Sequence, residues 1–129
     1  MIHIKQEKVM ALHHIMTTET GGEPNLRDVA LLDSALASAY QTFDGVELYP
    51  TIQAKAAKMG HALIANHAFV DGNKRIGMYV MMIFLEVNGV HITPTIPEVI
   101  RVGLAVASGE MDYDSLYQWI CQNQADTLT

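Results

Sequence analysis

The chain is nearly without cysteine: Cys121 stands alone in 129 residues. A single thiol excludes an internal disulfide framework and any cysteine-rich zinc module, and leaves a packing role near a helix end. Proline and glycine are sparse, at four and nine residues, which excludes collagenous and low-complexity chains. Long apolar runs are missing too. The longest, Met78 to Leu85, has eight residues, too few to span a bilayer. The N-terminal MIHIKQEKVM has neither the apolar stretch of a secretory signal nor the arginine and serine richness of a transit peptide. These absences predict a soluble, cytoplasmic protein with no membrane partner. Positive charge is not in excess. Eight basic against 14 acidic residues give a net charge of −6, so no bulk electrostatic grip on nucleic acid is expected.

Half of the residues are hydrophobic, which excludes disorder and supplies a core for a chain of this length. No repeat or linker interrupts it, and residues 1–129 read as one domain. Helical periodicity dominates. Val9, Leu12 and Met16 form a first stripe that Gly21-Gly22 ends. Asp28 can cap a second helix carrying Val29, Leu32, Leu36 and Ala39. Residues 40–50 break the pattern and read as a loop or short hairpin. Thr51 then caps a third helix with Ile52, Ala56, Met59 and Leu63 in line. From Asn73 to Asn88 the chain is apolar almost all round, which predicts the most buried, central helix, stopped by Asn88-Gly89. Val90-His91-Ile92 reads as an extended connection. Pro97 suits the first turn of a fifth helix with Val99, Val102 and Val106, and Asp112 can cap a sixth with Tyr113, Leu116, Tyr117 and Ile120. The expectation is an all-α bundle of six helices, with the eight methionines filling its core.

Chemistry is concentrated between the third and fourth helices, in His67-Ala68-Phe69-Val70-Asp71-Gly72-Asn73-Lys74-Arg75. The fourth helix begins inside this segment, so its free N–H groups and positive dipole end face the loop. Gly72 permits the backbone of an anion-binding turn, and Lys74 with Arg75 adds two cations, together a phosphate site in physical terms. Lys55, Lys58, Lys74 and Arg75 also make residues 55–75 a +3 window in a chain whose remainder is −9. Asp71 offers the hard oxygen ligand that Mg²⁺ prefers. His67 supplies an imidazole, the side chain suited to taking a proton from a hydroxyl, and Phe69 can plug the loop into the core. Residue chemistry alone equally allows a satisfied core histidine, a capping aspartate and two solvated cations. His67, Asp71 and Arg75 are nevertheless expected to converge on one cleft. P-loop, dinucleotide-binding, H-E-x-x-H and G-x-S-x-G patterns are all absent. His13 and His14 are adjacent, hence about 100° apart on a helix and a poor chelating pair.

The nine-residue segment resembles the signature of the Fic/Doc family, H-x-F-x-[DE]-G-N-x-R, and HAFVDGNKR fills every fixed position. GGEPNLRDVALLDSALASAYQTFDG before it, FLEVNGV after it and a final helix ending in Trp119 are similar too, so the likeness runs through nearly the whole chain. In the adenylyltransferase branch a second Gly precedes the Arg and another Arg follows three residues on; here those positions hold Lys74 and Met78. N-K-R resembles the Doc-type toxin branch, where the nucleotide lies reversed and the γ-phosphoryl is transferred.

The resemblance implies these roles. His67 is the general base, and Asp71 holds Mg²⁺. Gly72, Asn73, Lys74 and Arg75 cradle the phosphates of ATP, and Phe69 is structural. Residues 40–50 form a flap that docks the target, with Phe43 and Tyr49 as candidate anchors. The implied activity is phosphorylation of a protein, elongation factor Tu in the family, which halts translation. Transfer of AMP by a Fic-type enzyme and a non-catalytic binding module are the alternatives. No Glu in the chain has Ser or Thr four residues before it in the [ST]-x-x-x-E-[GN] pattern by which many relatives silence themselves. A brake in trans, an antitoxin protein whose segment folds across an apolar groove, is therefore expected.

Overall fold

The computed structural model describes residues 1–125. They form six helices: α1 Gln6–Thr20, α2 Val29–Ala37, α3 Ile52–Asn66, α4 Asn73–Val87, α5 Ile96–Ser108 and α6 Tyr113–Gln122. A 3₁₀ turn at Ser38–Tyr40 extends α2, and the strands β1 Thr42–Phe43 and β2 Val46–Glu47 pair as an antiparallel hairpin. The fold is all-α. No helix among the described residues is long and apolar enough to cross a membrane.

Local chemistry explains the helix ends. The Asp28 carboxylate accepts from the N–H groups of Ala30 and Leu31, Thr51 Oγ1 from Ala54 and Asp112 from Ser115, each satisfying a first-turn donor. Thr95 caps α5, with Pro97 in the first turn. Gly21, with φ +79°, closes α1 by donating its N–H to Thr17 C=O. The connection Val90–Ile92 is extended as its sequence suggests, and a single bridge joins Ile92 to Gln124.

The centre of the bundle differs from the periodicity argument. The most enclosed helix is α3, not α4: it packs against α2, α4, α5, α6 and the 3₁₀ turn. Its Ala54, Ala56, Ala57, Gly60 and Ala62 are small enough to admit neighbours on several sides. The α3–α4 contact is close enough that a Cβ on Gly77 would stand 2.6 Å from Ile64 Cγ1. On α4, Ile76, Met78, Val80, Met81, Phe84 and Leu85 are buried, yet Tyr79 remains 49% exposed. That open side and α5 bound an apolar groove of about 650 Å³, floored by Met78, Met82 and Val99 with Lys74 and Arg75 at one end. An apolar helix surface therefore need not be a covered one.

The 40–50 segment is the short hairpin its composition allowed. Asp44 (φ +54°) and Gly45 (φ +79°) both adopt left-handed backbone, the type I′ turn that Asp-Gly favours. Its anchor was not legible. Lys55 is fully buried; its ammonium donates to Glu47 Oε1 at 2.8 Å and to the Tyr49 carbonyl. Lys55 is thus withdrawn from the basic window of 55–75, because its charge is spent holding the hairpin on α3.

Candidate active site

The signature segment leaves α3 at His67 and enters α4 at Asn73. His67 closes α3 in the left-handed region, φ +52° and ψ +51°, a conformation that costs most non-glycine residues energy and so must be held. Arg27 holds it: Nε donates to His67 C=O at 2.8 Å and Nη2 to Asn66 C=O at 3.3 Å. The connection before α2 also pairs with the segment as a short ladder. Arg27 and Asp28 N–H donate to Ala68 C=O, and Val70 N–H donates to Asn25 C=O.

The exposed His67 ring sits over its own helix end, with Nδ1 3.0 Å from Ala65 C=O. A carbonyl only accepts, so Nδ1 carries a proton, and in the neutral ring Nε2 keeps its lone pair. Such an imidazole is set up to accept a proton through Nε2. His67 lines a cleft of about 240 Å³ together with Val70, Asp71, Gly72, Asn73 and Lys74. The cleft lies at the N-terminus of α4, whose first ladder bond runs from Ile76 N–H to Gly72 C=O. The N–H groups of residues 73–75 therefore have no intrahelical acceptor and concentrate the positive end of the dipole there.

Asp71 is exposed, and its Oδ1 accepts from Gly72 N–H at 2.8 Å while Glu23 N–H stands 3.4 Å from Oδ2. Phe69 is buried at 3% exposure, the plug its sequence context predicted. Arg75 does not line the cleft. Its Nη1 reaches α1 and donates to Thr20 Oγ1 at 2.6 Å. Gly22 makes this approach possible, since a Cβ there would lie 3.0 Å from Asp71 Oδ2 and 3.4 Å from Arg75 Nη2. His67 and Asp71 thus share one cleft, while Arg75 stands beside the Asp71 carboxylate on the α1 side.

Two of the implied site residues are engaged within the fold. The Asn73 side chain is buried and already used: Oδ1 accepts from Phe69 N–H at 3.1 Å and Nδ2 donates to Phe69 C=O at 2.9 Å. It clasps the loop, and only its backbone N–H is left for a phosphate. Tyr49 is half-buried, edge-on to Tyr113 at 5.1 Å with Lys58 Nζ 5.5 Å from its ring centre. It packs at the hairpin base. Phe43, 74% exposed, remains free.

Thr20 and Arg27 were not singled out from sequence, His13 was weighed only as half of a chelating pair and Gly22 only as a helix stop, yet all four act on the segment across more than 35 residues of chain. Only His13 left a readable trace, because it falls on the α1 stripe at Val9, His13 and Met16, all buried. No group of three His, Cys, Asp or Glu among the described residues could hold a metal by itself. One exposed carboxylate beside a phosphate-type helix end fits Mg²⁺, which is commonly bound through one or two carboxylates and substrate phosphates.

The chain is similar to known proteins. Residues 3–85 match the Fic/DOC family. A protein named Toxin Doc from Mycolicibacterium smegmatis is 46% identical over 72 residues, 56% of this chain and 55% of that protein's length. Protein kinase doc of Escherichia phage P1 is 27% identical over 128 residues, 99% of this chain and 94% of its own. The chain thus matches about half the length of the first relative and nearly all of the second.

Proposed function

Because the chain belongs to the Fic/DOC family, we propose that it is a Doc-like toxin that moves the γ-phosphoryl group of ATP onto a hydroxyl of a protein. The observation that carries the proposal is the His67 imidazole, with Nδ1 committed to Ala65 C=O and Nε2 open beside the α4 N-terminus. The names borne by the two relatives support the toxin and kinase reading. Elongation factor Tu is the target implied by the resemblance, with translation arrested as the consequence.

In this reading the phosphates of ATP rest against the free N–H groups of residues 73–75 and the Lys74 ammonium, which balance charge spread over the transferring group. Arg75 exchanges Thr20 for a phosphate oxygen. Asp71 would hold Mg²⁺, which supplies further charge neutralisation when bound. The target hydroxyl gives its proton to His67 Nε2 as its oxygen bonds to the γ-phosphorus and the bond to the ADP oxygen breaks. The exposed Phe43 and Val46 hairpin receives the target segment.

Phosphoryl transfer is favoured over AMP transfer by Met78. It fills the position of the second phosphate-binding Arg of the adenylyltransferase branch, and it is buried at 2% exposure. That position serves the core and the groove. The antitoxin in trans is assigned to the apolar groove between α4 and α5, whose cationic end meets the site at Lys74 and Arg75. Incubation with ATP labelled at the α or γ position and a host lysate tests the function. Transfer of the γ label alone, lost in His67→Ala, is expected. Transfer of the α label makes the protein an adenylyltransferase, and no transfer of either sinks both enzymatic readings.

A further inference from the structure

His13 is the buried polar side chain that the site chemistry leaves unused. It lies on α1 at 1% exposure, and its Nε2 stands 2.7 Å from Asp71 C=O. The ring is stacked on Phe69, with centroids 3.7 Å apart and planes 14° from parallel. It also borders Gly72, where an added Cβ would stand 3.4 Å from Nε2 and 2.6 Å from Met16 Cε. One imidazole therefore touches the signature segment at three of its nine positions.

The acceptor is a carbonyl, so His13 Nε2 carries the hydrogen. Asp71 C=O and Gly72 N–H belong to one planar trans peptide and point in opposite directions. Holding the carbonyl toward α1 aims the Gly72 N–H away from α1, where it now meets the Asp71 carboxylate. Local sterics do not make this choice. Gly72 sits at φ +80°, and glycine takes either sign of φ at similar cost, so the orientation of the 71–72 peptide is left to its hydrogen bonds, the Asp71 carboxylate on one side and His13 on the other.

We propose that His13 is a positioning residue that locks the Asp71–Gly72 peptide, so that Gly72 N–H holds the Asp71 carboxylate in place beside the phosphate site at the α4 N-terminus. A carboxylate held in advance needs no reorganisation when charge arrives. The proposal rests on the phosphate-binding reading above and adds to it the device on α1 that makes the turn competent.

Two substitutions in the full chain separate the donor from the packing. His13→Phe keeps a flat ring on Phe69 and removes the donor, and His13→Gln returns an N–H near the Nε2 position. Binding of Mg-ATP is followed by calorimetry, and the Gly72 amide by ¹⁵N NMR with and without nucleotide. His13→Phe should lower ATP affinity roughly tenfold, the scale of one hydrogen bond to a charged group, and should shift or broaden the Gly72 amide. His13→Gln should recover affinity to within about threefold on the same scale. A folded His13→Phe with wild-type affinity and an unmoved Gly72 amide overturns the proposal, as does a folded His13→Gln that is no better than the Phe variant. If neither variant folds, His13 is a core packing residue and the proposal is equally refuted. Should the wild type bind no ATP, the nucleotide reading fails, while the Gly72 resonance in the two variants still decides whether His13 sets the peptide.

Discussion

Removing the Asn73 side chain separates a loop clasp from a phosphate ligand, two roles that the signature alone does not distinguish. In Asn73→Ala the N–H and C=O of Phe69 both lose the partner they have in the fold. The neighbouring ladder does not rescue them, because it uses Ala68 C=O and Val70 N–H. Each bond contributes about 1 kcal/mol net, and a buried main-chain group left unpaired costs about 1–3 kcal/mol. The two together imply a loss of about 2–5 kcal/mol. At about 3–4 °C per kcal/mol for a domain of this size, Tm should fall by about 6–20 °C. Asn73→Asp sharpens the test. The introduced carboxylate can accept from Phe69 N–H but faces Phe69 C=O without a hydrogen to give, so its protonated form is favoured in the fold and its pKa rises. Stability lost at neutral pH should therefore return as the pH falls through that raised pKa, which the Ala variant cannot show. Thermal melts by circular dichroism at pH 7 and pH 4.5, with ATP binding measured alongside, read both effects. An Asn73→Ala variant that melts within about 2 °C of wild type while losing ATP affinity would refute the clasp and return the side chain to the phosphate.

Two further outcomes follow from buried or paired charges. In Lys55→Met the ammonium that ties Glu47 and Tyr49 to α3 is gone, but Glu47 is half exposed and can rehydrate. Global Tm should stay within about 5 °C of wild type, while ¹⁵N order parameters of residues 42–48 fall; unchanged order there would show that the buried lysine is not the anchor. On α5, Glu98 accepts from Arg101 and from Trp119 Nε1, and these bonds hold its carboxyl down at about 2. A depressed acid contributes stability above its unfolded pKa and loses it as pH falls. The α5–α6 contact should therefore weaken between about pH 4.5 and pH 2, read by the fluorescence of the chain's one tryptophan. Glu98→Gln should flatten that transition, and an identical profile would exclude Glu98 as its cause.

The helices were legible because their signals are local. Asp28, Thr51 and Asp112 cap the residues that follow them within three positions, and such bonds are written in adjacent sequence. The same holds for the type I′ turn at Asp44-Gly45 and for the signature segment, whose His67 and Asp71 share one cleft. Tertiary structure decided what the chain cannot express at short range. It made α3 the enclosed helix, because enclosure depends on how many neighbours small side chains admit and not on how apolar a helix is. It took Lys55 out of solvent to hold a hairpin. It turned Asn73 inward to Phe69, where the amide of a buried loop satisfies two main-chain groups before it can meet a ligand. It also brought Arg27 to the His67 carbonyl and His13 to the Asp71 carbonyl, 40 and 58 residues away. The candidate reacting groups, His67 and Asp71, come from one short stretch of sequence. Their conformation is imposed from α1 and the α1–α2 connection, since a glycine-bearing loop has no preferred geometry of its own and takes the one its packed neighbours hold.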